Sequence, residues 1–520
     1  MKRLFVVLLA LSFVFLTVTP AFAAENQDGG PTPLIVVGGM NGAPLIKDEG
    51  TPNEEQVWPP VLNFGEIAVK AIWGLSSAAV YKDWDKLGDV IVPLLNKVLE
   101  PSSCDNDGNS KYNVSTTIYP LSMANYPEFL AEAFISEEGF LHSASDRLGA
   151  ENVYFFNYDW RLDPLEHARA LDAMIQRVKA ETGCSKVDIT ACSMGGCVTM
   201  AYFYLFGYED VESCVFLSAA FSGSLAASEI LVGEVFIDRT ALKHYIRLNV
   251  NINPEVDEFL DAFVEFLDQT GVLKTIVDFV NGMLSSQKDR VLDEAVTASL
   301  GTMPGMWALV REGAFEQAKE MHLSDPKYAK LVERIDDFHY NVRVKRQELI
   351  ENAMESGVTV YFTSHYEDVL IPAFPSAIKH GDGLIETVCT SNGATVALLG
   401  ERFPKDYVQA NLCCGKNHVS PDRVVDASTC MFPEQVWFFR EVAHVGTIYQ
   451  SEFSDFILWF LEQPEQATVW SDAAHPQFLT AGDAGMTLHP TTEADGEYYS
   501  LADGVADFFK AWTNIKNILK

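Results

Sequence analysis

The stretch 186–206, KVDITACSMGGCVTMAYFYLF, constrains this chain most, because it reads as a buried strand, a tight turn and a helix with Ser193 at the turn. Val187, Ile189 and Ala191 alternate along one face, the spacing of a half-buried strand. Gly195 and Gly196 follow, and residues without a side chain allow a sharp reversal and a close approach of the next helix, 197–206. The run Ala191-Cys192-Ser193-Met194-Gly195 fits the G-x-S-x-G turn with Ala in the first place. Taken alone, such a pentapeptide also describes many Gly-rich surface turns. The strand before it, the helix after it and the small flanking residues are what point to an activated hydroxyl.

The surrounding pattern alternates. A short apolar strand at 33–37 runs into the Gly-rich loop Gly38-Gly39-Met40-Asn41-Gly42, and 152–158 (NVYFFNY) is a second strand. Residues 167–182 carry helical spacing and stop at Gly183, and 213–220 is a further strand after the 197–206 helix. Strands alternating with helices predict an α/β fold: a mostly parallel central sheet with helices on both faces. Between 228 and 354 the periodicity is almost wholly helical (256–267, 272–284, 290–300, 307–321, 328–354), and 358–363 (VTVYFT) resumes the sheet. The expected organisation is therefore a core over 24–226 and 356–463, interrupted by a helical cap at 227–355. A C-terminal extension, 464–520, is expected to end in an amphipathic helix at 501–519.

Residues 1–23 open with Lys2 and Arg3, continue through an apolar run and close on Ala21-Phe22-Ala23, the pattern of a cleaved export signal. No other segment offers about 18 uninterrupted apolar residues, so a soluble secreted or periplasmic protein is expected. The formal net charge of −35 becomes −37 once Lys2 and Arg3 are removed. A surface this acidic repels nucleic acid and anionic membranes, which excludes nucleic acid as a partner and favours neutral, zwitterionic or cationic substrates. Nine cysteines in an exported chain permit disulfides, and the expected bridge joins Cys430 to Cys413 or Cys414. Cys192 and Cys197 read as small buried packers. No CxxC or Cys/His spacing points to a structural zinc, and no metal or cofactor is expected.

A serine hydroxyl needs a histidine to take its proton and a carboxylate to orient that histidine, in the chain order Ser, acid, His for this turn type. Six histidines follow the resumption of the sheet: His365, His380, His418, His444, His475 and His489. His444 lies directly after the strand-like run 435–442 (QVWFFREV) and ahead of a Gly and a helix, the position of a loop beyond a strand's carboxyl end. For the acid, Asp382 in a Gly-flanked loop and Asp368 just past the strand 358–363 are both in contention. Oxyanion donors are expected from the backbone amides of Met194, after the serine, and Met40, in the first Gly-rich loop. That loop lacks both the Lys-Ser/Thr ending of a phosphate loop and the spacing of a dinucleotide fingerprint.

The segments PLIVVGGMNGAPL, YDWRLDP at 158–164, ACSMGG, TMPGMWALV at 302–310 and HGDGLIET at 380–387 occur in an order that resembles the lecithin:cholesterol acyltransferase-like family. That family includes lysosomal phospholipase A2 and phospholipid:diacylglycerol acyltransferases. The resemblance spans about residues 33–460 and implies an α/β-hydrolase with a cap and lid, acting on acyl-lipid esters through an acyl-enzyme. Carried over by position, it implies Ser193 as nucleophile, Asp382 rather than Asp368 as acid, His444 as base and Met40 in the oxyanion hole. It further implies Trp160 as a wall of the acyl pocket. The chain departs from the family in having Val37-Gly38 where the first loop has Pro-Gly, and in lacking an evident lid cysteine pair, since only Cys104 lies in that region. The expected activity is that of a lipase, phospholipase or acyltransferase, with the cap meeting lipid surfaces transiently and no protein partner foreseen. An esterase or thioesterase for small soluble substrates is the alternative, and a catalytically silent lipid-binding protein is the alternative of another class.

Overall fold

The computed structural model describes residues 30–40, 42–60, 85–132, 137–249, 254–368, 370–482 and 486–496. The expected export signal, 1–23, and the expected helix at 501–519 fall outside the described residues. Thirteen strands are described: β1 Leu34–Val37, β2 Leu45–Lys47, β3 Glu55–Trp58, β4 Val114–Thr116, β5 Val153–Phe156, β6 Val187–Cys192, β7 Val211–Leu217, β8 Thr359–Tyr366, β9 Thr395–Val396, β10 Val425–Asp426, β11 Val436–Arg440, β12 Phe478–Gly482 and β13 Thr487–Pro490. Eight of them form one sheet in the order β13-β12-β11-β8-β7-β6-β1-β5. Every pairing in it is parallel except β12 with β13. The fold is α/β with a mostly parallel sheet, as the alternation predicts.

Both faces of the sheet are covered around its middle, so β1, β5, β6 and β11 are buried at every residue rather than at alternate ones. Ile35, Val37, Ile189 and Ala191 join the core under helices Pro164–Thr182 and Gly195–Phe206. Leu34, Val36 and Phe439 join the opposite core, which helices Glu137–Leu148 and Glu452–Leu461 complete. Pro164–Thr182 starts where Asp163 caps the Leu165 amide and Pro164 presets the first turn; it stops at Gly183, whose φ of 78° ends it in the left-handed region. From β1 the chain moves outward to β5, then returns across β1 to β6 and proceeds the other way through β7. The gap between the carboxyl ends of β1 and β6 is thus a topological switch point, where open α/β sheets bind ligands.

Between β7 and β8 the chain is helical, with helices at Leu225–Leu231, Arg239–Asn249, Pro254–Gln269, Val272–Val291, Pro304–Ala308, Glu312–Leu323, Ala329–Phe338 and Arg346–Glu355. Two expected helices are interrupted: 307–321 breaks near Val310, and 328–354 passes through a π turn, His339–Arg343. The last helix, Arg346–Glu355, packs on helix Gly195–Phe206 and on β8. It serves as the ordinary crossover helix rather than as part of a cap.

The expected C-terminal extension is corrected. β12 and β13 lie within 464–500 and extend the central sheet. Their runs of four or five residues, set among Gly, Pro and Asp, are too short to show a period, yet β12 finds its partner in β11 through Phe438↔Phe478 to Arg440↔Thr480. The expected bridge from Cys430 to Cys413 or Cys414 is also corrected. No disulfide joins any cysteine among the described residues; Cys430 is buried, Cys413 is exposed and the Cys414 thiol turns to His418 instead.

Candidate active site

Ser193 stands directly after β6 with φ of 53°, a left-handed backbone that a non-glycine residue adopts only under local constraint. The constraint is visible on all sides. The Ser193 amide donates to the Leu217 carbonyl at 3.0 Å, and its own carbonyl accepts from Ala220 at 2.8 Å and Gly196 at 3.1 Å. A side chain at Gly195 would meet the Val37 carbonyl at 2.4 Å, and one at Gly196 would meet the Ala219 methyl at 2.7 Å. Ala191 is wholly buried at the position where the motif has its first Gly, so a methyl group is accommodated there.

His444 follows β11 by four residues and is held in its loop by left-handed residues on both sides, Glu441 at φ 61° and Val445 at φ 49°. Its Nδ1 lies 2.9 Å from Asp382 Oδ2 and its Nε2 lies 2.8 Å from Ser193 Oγ. A carboxylate only accepts, so Nδ1 carries the hydrogen and Nε2 presents its lone pair to the serine hydroxyl. Asp382 is buried and accepts also from the Leu384 amide at 3.0 Å and the Ile385 amide at 2.7 Å. Burial works against its charge, but the imidazole beside it and the Ile385 amide hold its pKa below the usual carboxylate value. Burial likewise opposes a charged His444, and the Asp382 carboxylate outweighs it, so the His444 pKa stands above that of an ordinary imidazole. Asp368, the other acid in contention, backs this loop: its amide donates to the Gly381 carbonyl at 3.1 Å and its carboxylate faces Gly383.

The first Gly-rich loop comes beside Ser193. A side chain at Gly39 would lie 2.8 Å from the Ser193 Cβ. Of its amides, Gly38 donates to the Phe156 carbonyl at 3.0 Å and Gly39 to Glu137 Oε1 at 2.9 Å. The amides of Met40 and Met194 have no hydrogen-bond acceptor among the described residues. Met194 also opens helix Gly195–Phe206, whose first amides give that end a partial positive charge. The Met40 carbonyl is pinned by the Trp58 indole at 3.1 Å, and Trp58 meets the buried Trp160 edge-on at 5.0 Å.

Four side chains around this centre escape a reading of the sequence. Glu137 holds the first loop in place from a helix some 100 positions away, and no local motif marks it. Trp58 joins Met40 to Trp160. His365, at the end of β8, donates through Nδ1 to the Ala443 carbonyl at 3.2 Å and so props the residue before His444. Burial pushes its pKa down to about 4, which keeps it neutral. Arg161, in YDWRL, is wholly buried and grips Asp159 while donating to the Ser102 carbonyl at 2.7 Å and Ser110 at 2.9 Å. That arginine explains part of the motif as a clamp on the loop 102–110. His380, His418, His475 and His489 lie away from the Ser193 hydroxyl's hydrogen bonds: His475 pairs with Asp472, and His418 with Cys414 and Gln477.

No family model and no curated protein matches this chain. Among solved structures, the crystal structure of the Tle4-Tli4 complex is similar at a TM-score of 0.30 and 12% identity, covering 92% of this chain and 98% of that one, a likeness too low to carry an argument.

Proposed function

We propose that this chain is a serine acyl hydrolase or acyltransferase of the α/β-hydrolase type, similar to the lecithin:cholesterol acyltransferase-like family and acting on lipid esters. The observation that carries the reading is the hydrogen-bonded line Ser193, His444, Asp382 at the switch point of the sheet. In this reading His444 Nε2 removes the hydroxyl proton as Ser193 Oγ adds to the ester carbonyl, and Asp382 stabilises the imidazolium. The carbonyl oxygen becomes an oxyanion that the amides of Met40 and Met194 receive, preorganised and without other acceptors among the described residues. His444 then protonates the leaving alcohol, an acyl group stays on Ser193, and water or a lipid alcohol releases it by the reverse sequence.

Support for an apolar substrate comes from helix Val272–Val291. Leu273, Val277 and Met283 bury one face, while Val272, Ile276 and Phe279, spaced along a second stripe, are 44%, 51% and 49% exposed. An ordinary amphipathic helix has one apolar face; a second, exposed one suits contact with lipid. Trp160 is assigned to the acyl side of the site, reached from Met40 through Trp58.

The deciding experiment follows fatty acid release from phosphatidylcholine vesicles together with fluorophosphonate labelling. The wild-type chain is expected to release fatty acid and to be labelled at Ser193; Ser193→Ala is expected to lose both, with kcat falling by about 10^6-fold while the fold is retained. A Ser193→Ala protein of undiminished activity refutes the assignment, and labelling with turnover confined to monomeric short-chain esters refutes the lipid substrate alone.

A further inference from the structure

On the opposite side of the molecule's chemistry, Cys413, Cys414 and His418 form a cluster in which both Sγ atoms and a ring nitrogen lie within 4.8 Å of one another. We propose that this cluster is a binding site for a thiophilic d10 cation of the zinc class, through Cys413 Sγ, Cys414 Sγ and His418 Nε2.

The histidine is set up for this by its surroundings. His418 is wholly buried, and its Nδ1 lies 2.8 Å from Gln477 Oε1. The orientation of the Gln477 amide is decided by its other end, where Nε2 donates to the carbonyls of Pro433 at 2.7 Å and Val436 at 3.1 Å. Carbonyls only accept, so Gln477 must turn its oxygen to His418. His418 Nδ1 therefore carries the hydrogen, and Nε2 directs its lone pair at Cys414 Sγ, 3.0 Å away. A ring nitrogen donating to a fixed oxygen while the other faces thiols is the second-sphere pattern of a ligating histidine. The residue is anchored on its main chain too, by Gln409 at 2.7 Å and Ala427 at 2.9 Å, and Trp470 packs against the ring at 5.1 Å.

Chemistry selects the ion. Two thiols and an imidazole, without an oxygen ligand, suit Zn2+ or Cu+ and not Ca2+ or Mg2+. The nearby Asp426 carboxylate is occupied by Tyr407, Ala410 and Ser428. Bond lengths of about 2.3 Å to sulfur and about 2.0 Å to nitrogen place tetrahedral ligands roughly 3.5–3.8 Å apart, within reach of side-chain rotation from the present spacing. Cys413 is exposed, so solvent supplies the fourth position from its side. Each bound thiol gives up its proton to solvent, so two protons leave as the cation enters.

The site is structural rather than catalytic in its placement. Gln477 immediately precedes β12, and Pro433 and Val436 stand at the amino-terminal end of β11. His444 lies beyond the other end of β11, so the cation would staple the loop 409–418 to the amino-terminal ends of β11 and β12, away from Ser193.

The test uses the full chain, reduced with a phosphine and stripped of metal by a chelator, and titrates Co2+ and then Zn2+. One equivalent of Co2+ is expected to produce sulfur-to-cobalt absorption in the near ultraviolet with tetrahedral bands in the visible, and Zn2+ is expected to abolish both. Cys413→Ser, an exposed change that leaves the core alone, and His418→Ala are each expected to lose the signal or weaken binding at least tenfold, whereas Cys184→Ser is expected to keep it. Zn2+ should raise the thermal midpoint of the wild-type chain and not that of Cys413→Ser, with fluorophosphonate labelling of Ser193 the same in both. Absence of the cobalt bands at one equivalent, or their survival in Cys413→Ser or His418→Ala, overturns the proposal.

Discussion

Asp382 is the residue on which the electrostatics of the candidate site turn, because its carboxylate both orients His444 and raises that imidazole's pKa. A base works only when neutral, so activity should rise with pH through a pKa lying above the ordinary imidazole value of about 6.5. Asp382→Asn removes the cause of the upward shift and reverses the hydrogen bond that selects the tautomer. Its expected effect is a fall in kcat of about 10^4-fold, with the acid limb of the residual activity moved to lower pH. A pH profile of kcat/KM for both proteins checks it; an unmoved acid limb assigns the titration elsewhere. At this scale much was legible in the sequence, since the order of Ser193, Asp382 and His444 and the small residues of the elbow are local signals. Spacing left Asp368 and Asp382 level and only the family resemblance preferred Asp382, for both belong to one loop system and the direction of the side chain separates them. The roles of Glu137, of Trp58 and of His365, one of the six histidines in view, were hidden for a similar reason: each acts on a backbone group of a residue elsewhere in the chain, and backbone groups leave no mark in a residue string.

Among the elements, the elbow depends on the helical insertion behind it. Arg343, in the π turn, is buried and donates to the carbonyls of Ala220, Phe221 and Ala308, with Cys197 Sγ at 3.4 Å. Ala220 in turn donates to the Ser193 carbonyl. One guanidinium thus ties the insertion to the turn that carries the hydroxyl. Arg343→Ala takes the guanidinium donor from the Phe221 and Ala308 carbonyls and opens a cavity, and is expected to cost about 2–5 kcal/mol in denaturant unfolding. Ser193 labelling should slow in the same variant under native conditions, and a cost below about 1 kcal/mol would remove this role. Element type was readable in long runs of one period, as in Pro164–Thr182 and Val272–Val291. It failed at β12 and β13, where pairing with neighbours supplies what a short run cannot specify. The π turn broke a periodicity that otherwise reads as one helix over 328–354, because an extra residue per turn alters hydrogen bonding and leaves the composition unchanged.

For the whole molecule, an excess of acidic residues bears on the substrate surface. With a formal net charge of −35, repulsion from anionic lipid is expected to oppose the docking proposed for the exposed stripe on helix Val272–Val291. Turnover on zwitterionic vesicles is expected to exceed turnover on anionic ones at low ionic strength, the gap narrowing as salt shortens the Debye length to about 8 Å near 0.15 M. Faster turnover on anionic vesicles at low salt would mean that local basic groups govern docking. Patterns of short range, such as alternation, caps and the Gly-rich turns, were enough to declare an interleaved α/β chain with a helical insertion, because they arise from the backbone geometry of each segment. Which strands became neighbours, that β12 and β13 rejoined the sheet, that Cys430 was not bridged to Cys413 or Cys414, and that His418 rather than another histidine met two thiols were settled only by packing. Those outcomes depend on contacts between residues far apart in the chain, whose free energy is decided by burial and by the mutual satisfaction of polar groups once the fold has closed.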